Sequence, residues 1–112
     1  MPRLRADFWV SAHLRRLGVE GIPAVQRRRG SPEAGAIFVK VDRLDGTADL
    51  YGPAPQALIA ADDGERRFSV MLTGADSPDV EARIAKEVRF DEDLWIIEID
   101  DRDGRHGLEL MA

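Results

Sequence analysis

From Ala6 to Leu17 the apolar positions recur every three or four residues. At 100° per residue Trp9, Val10, His13, Leu14 and Leu17 share one arc, with Ser11, Ala12 and Arg15 on the other side. That spacing predicts a helix, with Asp7 as its cap and Gly18 ending it in a left-handed conformation. Phe8 lies off the buried arc.

The period then changes from helical to alternating. Ile22 to Arg28 is a weak strand, and Pro23 suits it to a sheet edge. Ala36 to Asp42 is stronger, with Ile37, Val39 and Val41 facing one way and Phe38, Lys40 and Asp42 the other. Asp45-Gly46 separates it from a strand over Thr47 to Tyr51, and Asp-Gly favours a two-residue hairpin turn with positive φ at both positions. Gly52-Pro53-Ala54-Pro55 is expected to break regular structure, and the connection continues through Asp62-Asp63-Gly64. Arg67 to Thr73 alternates again, with Phe68, Val70 and Leu72 inward and Arg67, Ser69, Met71 and Thr73 outward.

Ser77-Pro78-Asp79 predicts a second helix start, with serine as cap and proline at the first helical position. Val80, Ile84 and Val88 form its apolar stripe, while Asp79/Arg83 and Arg83/Glu87 stand four apart. The last strand, Leu94 to Asp100, places Trp95, Ile97 and Ile99 on one face and Leu94, Ile96, Glu98 and Asp100 on the other. Asp103-Gly104 turns the chain into a short tail.

The order is α-β-β-β-β-α-β. It predicts a single α+β domain over residues 1–112, with a mostly antiparallel sheet of about five strands and two helices packed on one face. The crossover from the second helix to the last strand would insert one parallel pair. There is no internal repeat.

Composition narrows the chemistry. With 112 residues, 44% of them hydrophobic, one core suffices without a staple. The absence of cysteine removes disulfides, thiolate metal sites and thiol nucleophiles, and fits a reducing cytoplasm. No run approaches the roughly 20 apolar residues of a membrane span, and the basic start at Arg3 and Arg5 lacks the apolar core of a signal peptide.

The net charge of −5 is unevenly spread. Residues 1–30 carry seven arginines against Asp7 and Glu20, a local balance of +5, whereas the rest carries nine bases and nineteen acids. Arg15, Arg16, Arg27, Arg28 and Arg29 are therefore candidates for a partner-docking patch.

Catalytic and metal motifs are sparse. Placing Gly104 at the sixth position of a calcium loop puts Ile99 first and Leu110 twelfth, so both required ligands are missing, and Gly46 fails in the same way. Asp100, Asp101, Asp103 and His106 remain a conceivable divalent-ion group, with a solvated turn as the alternative. No serine lies in a Gly-x-Ser-x-Gly elbow. His13 faces the core, His106 falls in an exposed turn, and Asp91 and Asp93 suit caps better than acid–base work. No phosphate-binding glycine motif is present, and a net-acidic chain is a poor nucleic-acid binder unless its arginines converge.

With both helices on one side, the opposite sheet face would stay open and offer Phe38, Lys40, Asp42, Arg67, Ser69, Met71, Glu98 and Asp100. That set suits either a solvated surface or a partner-binding face anchored on Phe38 and Lys40.

Five segments taken together carry a family likeness. They are Asp7-Phe8-Trp9-Val10 with Leu14-Arg15-Arg16, Arg27-Arg28-Arg29-Gly30, Gly35 to Val41, Leu44 to Pro53, and Phe90 to Trp95 leading to Asp101-Arg102-Asp103-Gly104. Through them nearly the whole chain resembles a bacterial family designated domain of unknown function 1491. The resemblance implies a small stand-alone bacterial protein and transfers no activity or catalytic residue.

The resulting expectation is a cytoplasmic, non-catalytic binding or adaptor protein, monomeric or homodimeric, without a cofactor and with another protein as partner. It would act through the arginines, the open sheet face, or both. Two alternatives stand beside it. One is a small metal-dependent or acid–base enzyme using Asp91–Asp93 and Asp100–His106; the other is nucleic-acid binding through the arginines.

Overall fold

The two most regular alternating segments become adjacent strands. In the computed structural model, which describes residues 4–55 and 65–111, β2 (Ile37–Asp42) pairs in parallel with β5 (Trp95–Asp100). The other strands are β1 (Ala24–Arg28), β3 (Thr47–Pro53) and β4 (Phe68–Asp76), and the helices are α1 (Ala6–Val19) and α2 (Ser77–Phe90). The element order is α-β-β-β-β-α-β, and the sheet runs β1-β5-β2-β3-β4 with every pairing antiparallel except β2–β5. The Asp62-Asp63-Gly64 connection lies outside the described residues.

The helices do not share a face. Val10 and Leu17 of α1 cluster with Ile37, Val39, Val41, Trp95, Ile97 and Ile99, whereas Val80 and Ile84 of α2 cluster with Phe38, Ala48, Leu50, Leu94 and Ile96. Phe38, Leu50 and Ile96 make the second face of the inner strands apolar as well. Each such side chain, fully buried, is worth roughly 1.5–3 kcal/mol. A sheet apolar on both faces needs a cover on both.

The ends of α1 are fastened by backbone rather than by Asp7. The first amides, Ala6 N and Asp7 N, donate to the Glu33 and Pro32 carbonyls at 3.1 and 2.9 Å, and the Asp7 carboxylate accepts from Phe8 N and pairs with Arg5. At the other end the helix runs through Gly18. The left-handed residue is Gly21 (φ 76°), and Ile22 N donates to Leu17 O while Gly21 N donates to Gly18 O. This 6→1 and 5→2 pair is the Schellman arrangement, and Ile22 and Leu17 meet in the core as it requires.

The β2–β3 reversal is a hairpin, but not the two-residue turn expected. Arg43 N donates to Thr47 O across a loop of Leu44, Asp45 and Gly46, with positive φ at Leu44 (62°) and Gly46 (90°). Asp45 instead caps the return strand, accepting from the backbone and hydroxyl of Thr47. β3 then continues through Gly52-Pro53, because Gly52 leaves room for Met71 and the Phe38 ring. In β4 the register shifts opposite Leu50 and Tyr51, so that Met71 and Leu72 both join the α2-side cluster while Val70 stays exposed, unlike the strict alternation expected. The α2 N-cap is Asp76, one residue before Ser77, and makes no side-chain capping bond.

Candidate functional site

β1 reads Ala-Val-Gln-Arg-Arg and among the described strands has one neighbour, β5. Its register against β5 shifts between Gln26 and Arg28, a bulge that sends both arginines toward the α2 side. Arg27 pairs with Glu81 of α2 and, at 3.0 Å, with Glu98 of β5. Arg28 Nη2 donates to the Glu92 carbonyl at 2.8 Å, while its buried Nε makes no hydrogen bond.

α2 packs toward β3 and β4, so a groove of about 480 Å³ remains between it and β1. Ile84, Ala85, Val88 and Ile96 form its apolar surface, and Arg27, Arg28, Arg89 and Glu81 its charged part. The volume falls within the range of small-ligand and side-chain pockets.

The electrostatics of the groove are settled by one neighbouring network. Lys40, only 6% exposed, donates to Glu81 at 2.7 Å and lies 3.7 Å from Glu98. Hydrogen bonds and charge from Arg27 and Lys40 hold the Glu81 carboxyl at about 2. Glu81 is thus already neutralised from two sides. Arg28 and Arg89 form no ion pair with a described residue.

The five arginines singled out from the sequence do not form one patch. Arg16 lies on the α1 side, donating to His13 Nδ1 and the Gly107 carbonyl, and Arg15 is exposed on the same helix. Arg29 sits 5.2 Å over the Trp95 ring. Arg27 and Arg28 are on the other side of the sheet, where Arg89 joins them.

The open face anchored on Phe38 and Lys40 is absent for the same reason that the helices are split. α2 covers it, leaving Phe38 9% exposed in the core and Lys40 tied into ion pairs.

The Asp-rich segment also disperses. Asp101 is buried, accepting from the backbone and guanidinium of Arg105, which lower its carboxyl below the ordinary range. His106 is half-buried rather than exposed, with its ring 4.7 Å from Tyr51. Asp100 faces the other side, where its carboxylate lies within 4.8 Å of those of Asp42 and Glu98. Glu98 already serves Arg27 and Lys40, so this triad balances neighbouring cations instead of presenting a free oxygen cage. Asp91 accepts from Asp93 N and closes the turn after α2.

His13 is a buried boundary residue. Its Nε2 meets the His106 carbonyl at 2.8 Å and Arg16 donates to its Nδ1, so the neutral ring protonated at Nε2 satisfies both. Trp9 stacks on it at 4.6 Å.

The matching family model, described as protein of unknown function DUF1491, covers residues 4–109. The chain belongs to the DUF1491 family. A DUF1491 protein from Caulobacter crescentus CB15, solved by crystallography, is 37% identical with a TM-score of 0.78 over 97% of this chain and 98% of its own. A solution structure from A. tumefaciens is 39% identical with a TM-score of 0.83, covering 97% of this chain and 95% of that one. No curated protein matches the sequence.

DUF1491 membership thus supports the fold over the full described chain and leaves the site to be argued from its residues. The groove residues contributed by α2 were visible only as a stripe, since Ile84 and Val88 are spaced to face a core. Arg89 carries no signal of its own until the helix is placed beside β1.

Proposed function

We propose that this DUF1491 protein is a non-catalytic, cytoplasmic binding protein whose site is the groove between β1 and α2, and whose partner is a protein presenting acidic and apolar groups together. The reading is carried by Arg28 and Arg89, which flank an apolar surface without an ion-pair partner among the described residues while Glu81 is consumed by Arg27 and Lys40. An incoming carboxylate gains charge-assisted hydrogen bonds there, and an adjoining aliphatic group removes Ile84, Val88 and Ile96 from water. The chain's overall charge of −5 opposes acidic partners elsewhere, so this groove also confers selectivity. The cytoplasm fits a chain without cysteine, and no helix of the described residues is long and apolar enough to cross a membrane.

The test is an NMR titration of the 15N-labelled protein at low salt. Its probes are a seven-residue peptide carrying leucine and glutamate two positions apart, and octanoate as a small acid. Amide shifts are expected at Arg28, Ile84, Val88, Arg89 and Ile96, weakened at least tenfold by Arg89→Glu. Millimolar amounts of both probes leaving those amides unmoved would refute the reading.

A further inference from the structure

The free edge of β1 borders the same groove, and its backbone polarity can be worked out. Asp100 N donates to Pro23 O at 3.0 Å, and Ala24, Val25 and Gln26 oppose Ile99, Glu98 and Ile97 in the same antiparallel register. Hydrogen-bonded and non-hydrogen-bonded pairs alternate in such a ladder. Pro23 and Val25 therefore bond to β5, and the N–H and C=O of Ala24 and Gln26 point away from the sheet. Neither residue makes another backbone bond among the described residues.

Val25 points to the α2 side, like its partner Glu98, and is 60% exposed. Beyond Gln26 the bulge ends the free ladder and brings Arg27 and Arg28 to that same side. A short edge without a strand partner among the described residues, an uncovered valine, Arg27 held by Glu81 and Glu98, and Arg28 without an acidic partner among the described residues thus follow one another along one border of the groove.

Resting on the binding reading above, we propose that the partner docks as an extended acidic peptide that adds a strand to β1. Its backbone bonds to Ala24 and Gln26. On the α2-facing side of the added strand an apolar side chain lies against Val25, and a carboxylate two residues away meets Arg28 and Arg89. The spacing of two follows from the alternation of side chains along a strand, and main-chain pairing with side-chain selection is the general logic of strand addition. A second copy of this chain is the less suitable occupant, because it would bring its own Arg27 and Arg28 to a border that is already basic.

The experiment compares the leucine–glutamate peptide with two derivatives: one N-methylated at the amides that would face β1, and one with glutamine in place of glutamate. Fluorescence anisotropy gives affinity, and amide shifts at Ala24 and Gln26 report edge pairing. Strand addition predicts shifts at both amides, at least tenfold weaker binding after N-methylation, and a similar loss with glutamine or with Arg28→Glu plus Arg89→Glu. If N-methylation leaves affinity unchanged and Ala24 and Gln26 do not shift while Arg89 and Ile96 do, strand addition is wrong and the groove reading stands. If no probe moves either set, both fall. If β1 amides broaden with protein concentration alone and sedimentation shows a dimer, the occupant is a second copy and the proposal is overturned.

Discussion

Lys40 Nζ lies 2.7 Å from Glu81 Oε2, joining an inner strand to the helix that covers it. The lysine is buried and the glutamate partly exposed, so the contact mixes a low-dielectric and a solvated end. Arg27 completes it from the sheet edge. Removing the carboxylate strands Lys40 with Glu98 at 3.7 Å as its remaining counter-charge.

Glu81→Gln is expected to cost about 1–3 kcal/mol at pH 7, below the cost of breaking a fully buried pair because Glu81 is partly solvated. The pH dependence has a definite sign. A carboxyl held at about 2 when folded stabilises the protein above its unfolded value of roughly 4.3, and that contribution drains away as pH falls toward about 2. Urea unfolding from pH 7 to pH 2 should show the gap between wild type and variant closing across that window.

His13 works in the same direction at higher pH. Burial, aided by the neighbouring Arg16 charge, lowers its basicity against the opposing bond to the His106 carbonyl. A histidine kept neutral in the fold contributes stability that is full above its unfolded value near 6.5 and is lost as pH drops through that value toward the folded one. His13→Gln should flatten the stability profile between pH 7 and pH 5. The ring resonances of wild-type His13 should titrate below 6.5.

Gly18 and Gly21 respond oppositely to alanine. Gly18 is helical with open space around its Cα, so Gly18→Ala should stabilise by about 0.5–1 kcal/mol. Gly21 holds φ at 76°, so Gly21→Ala should destabilise by about 1 kcal/mol. Thermal melts of the two variants decide it, and a gain at Gly21 would contradict the cap described above.

Trp95 fixes the β1–β2 loop, whose Pro32 and Glu33 carbonyls hold the first amides of α1. Its Nε1 donates to the Ser31 carbonyl at 2.8 Å, and a Cβ on Gly35 would meet that nitrogen at 2.8 Å and the Asp93 carbonyl. Trp95→Phe should cost about 1–3 kcal/mol from lost packing and from the lost indole bond to the Ser31 carbonyl, which keeps its bond from Gly35 N at 3.2 Å, and Gly35→Ala should cost more. Chemical denaturation monitored by circular dichroism measures both.

What the sequence made legible was set by local period. Ile37/Val39/Val41 and Trp95/Ile97/Ile99 announced a shared sheet face, and Asp45-Gly46 announced a reversal, because both depend on near neighbours. The placement of α2 did not follow, although Phe38, Leu50, Leu94 and Ile96 carried the information. Taken strand by strand they looked like stray apolar residues on a polar face; only the pairing of β2 with β5 and β3 gathers them into one surface. The arginines failed similarly. Arg16 and Arg27 are close in the chain but separated by the thickness of the sheet, while Arg89, far along the sequence, is the one that meets Arg28 across the groove.

The sheet order also sets a timetable for the nascent chain. Of the five described strands β1 is made before the others and β5 after them, yet the two are neighbours, and β1 pairs with no other described strand. Through the synthesis of three intervening strands and a helix it has no native mate, and the slow, long-range closure comes at the end. A peptide able to cap that border would find it bare on both sides during this interval, so the folding chain is more open to capture than the finished one.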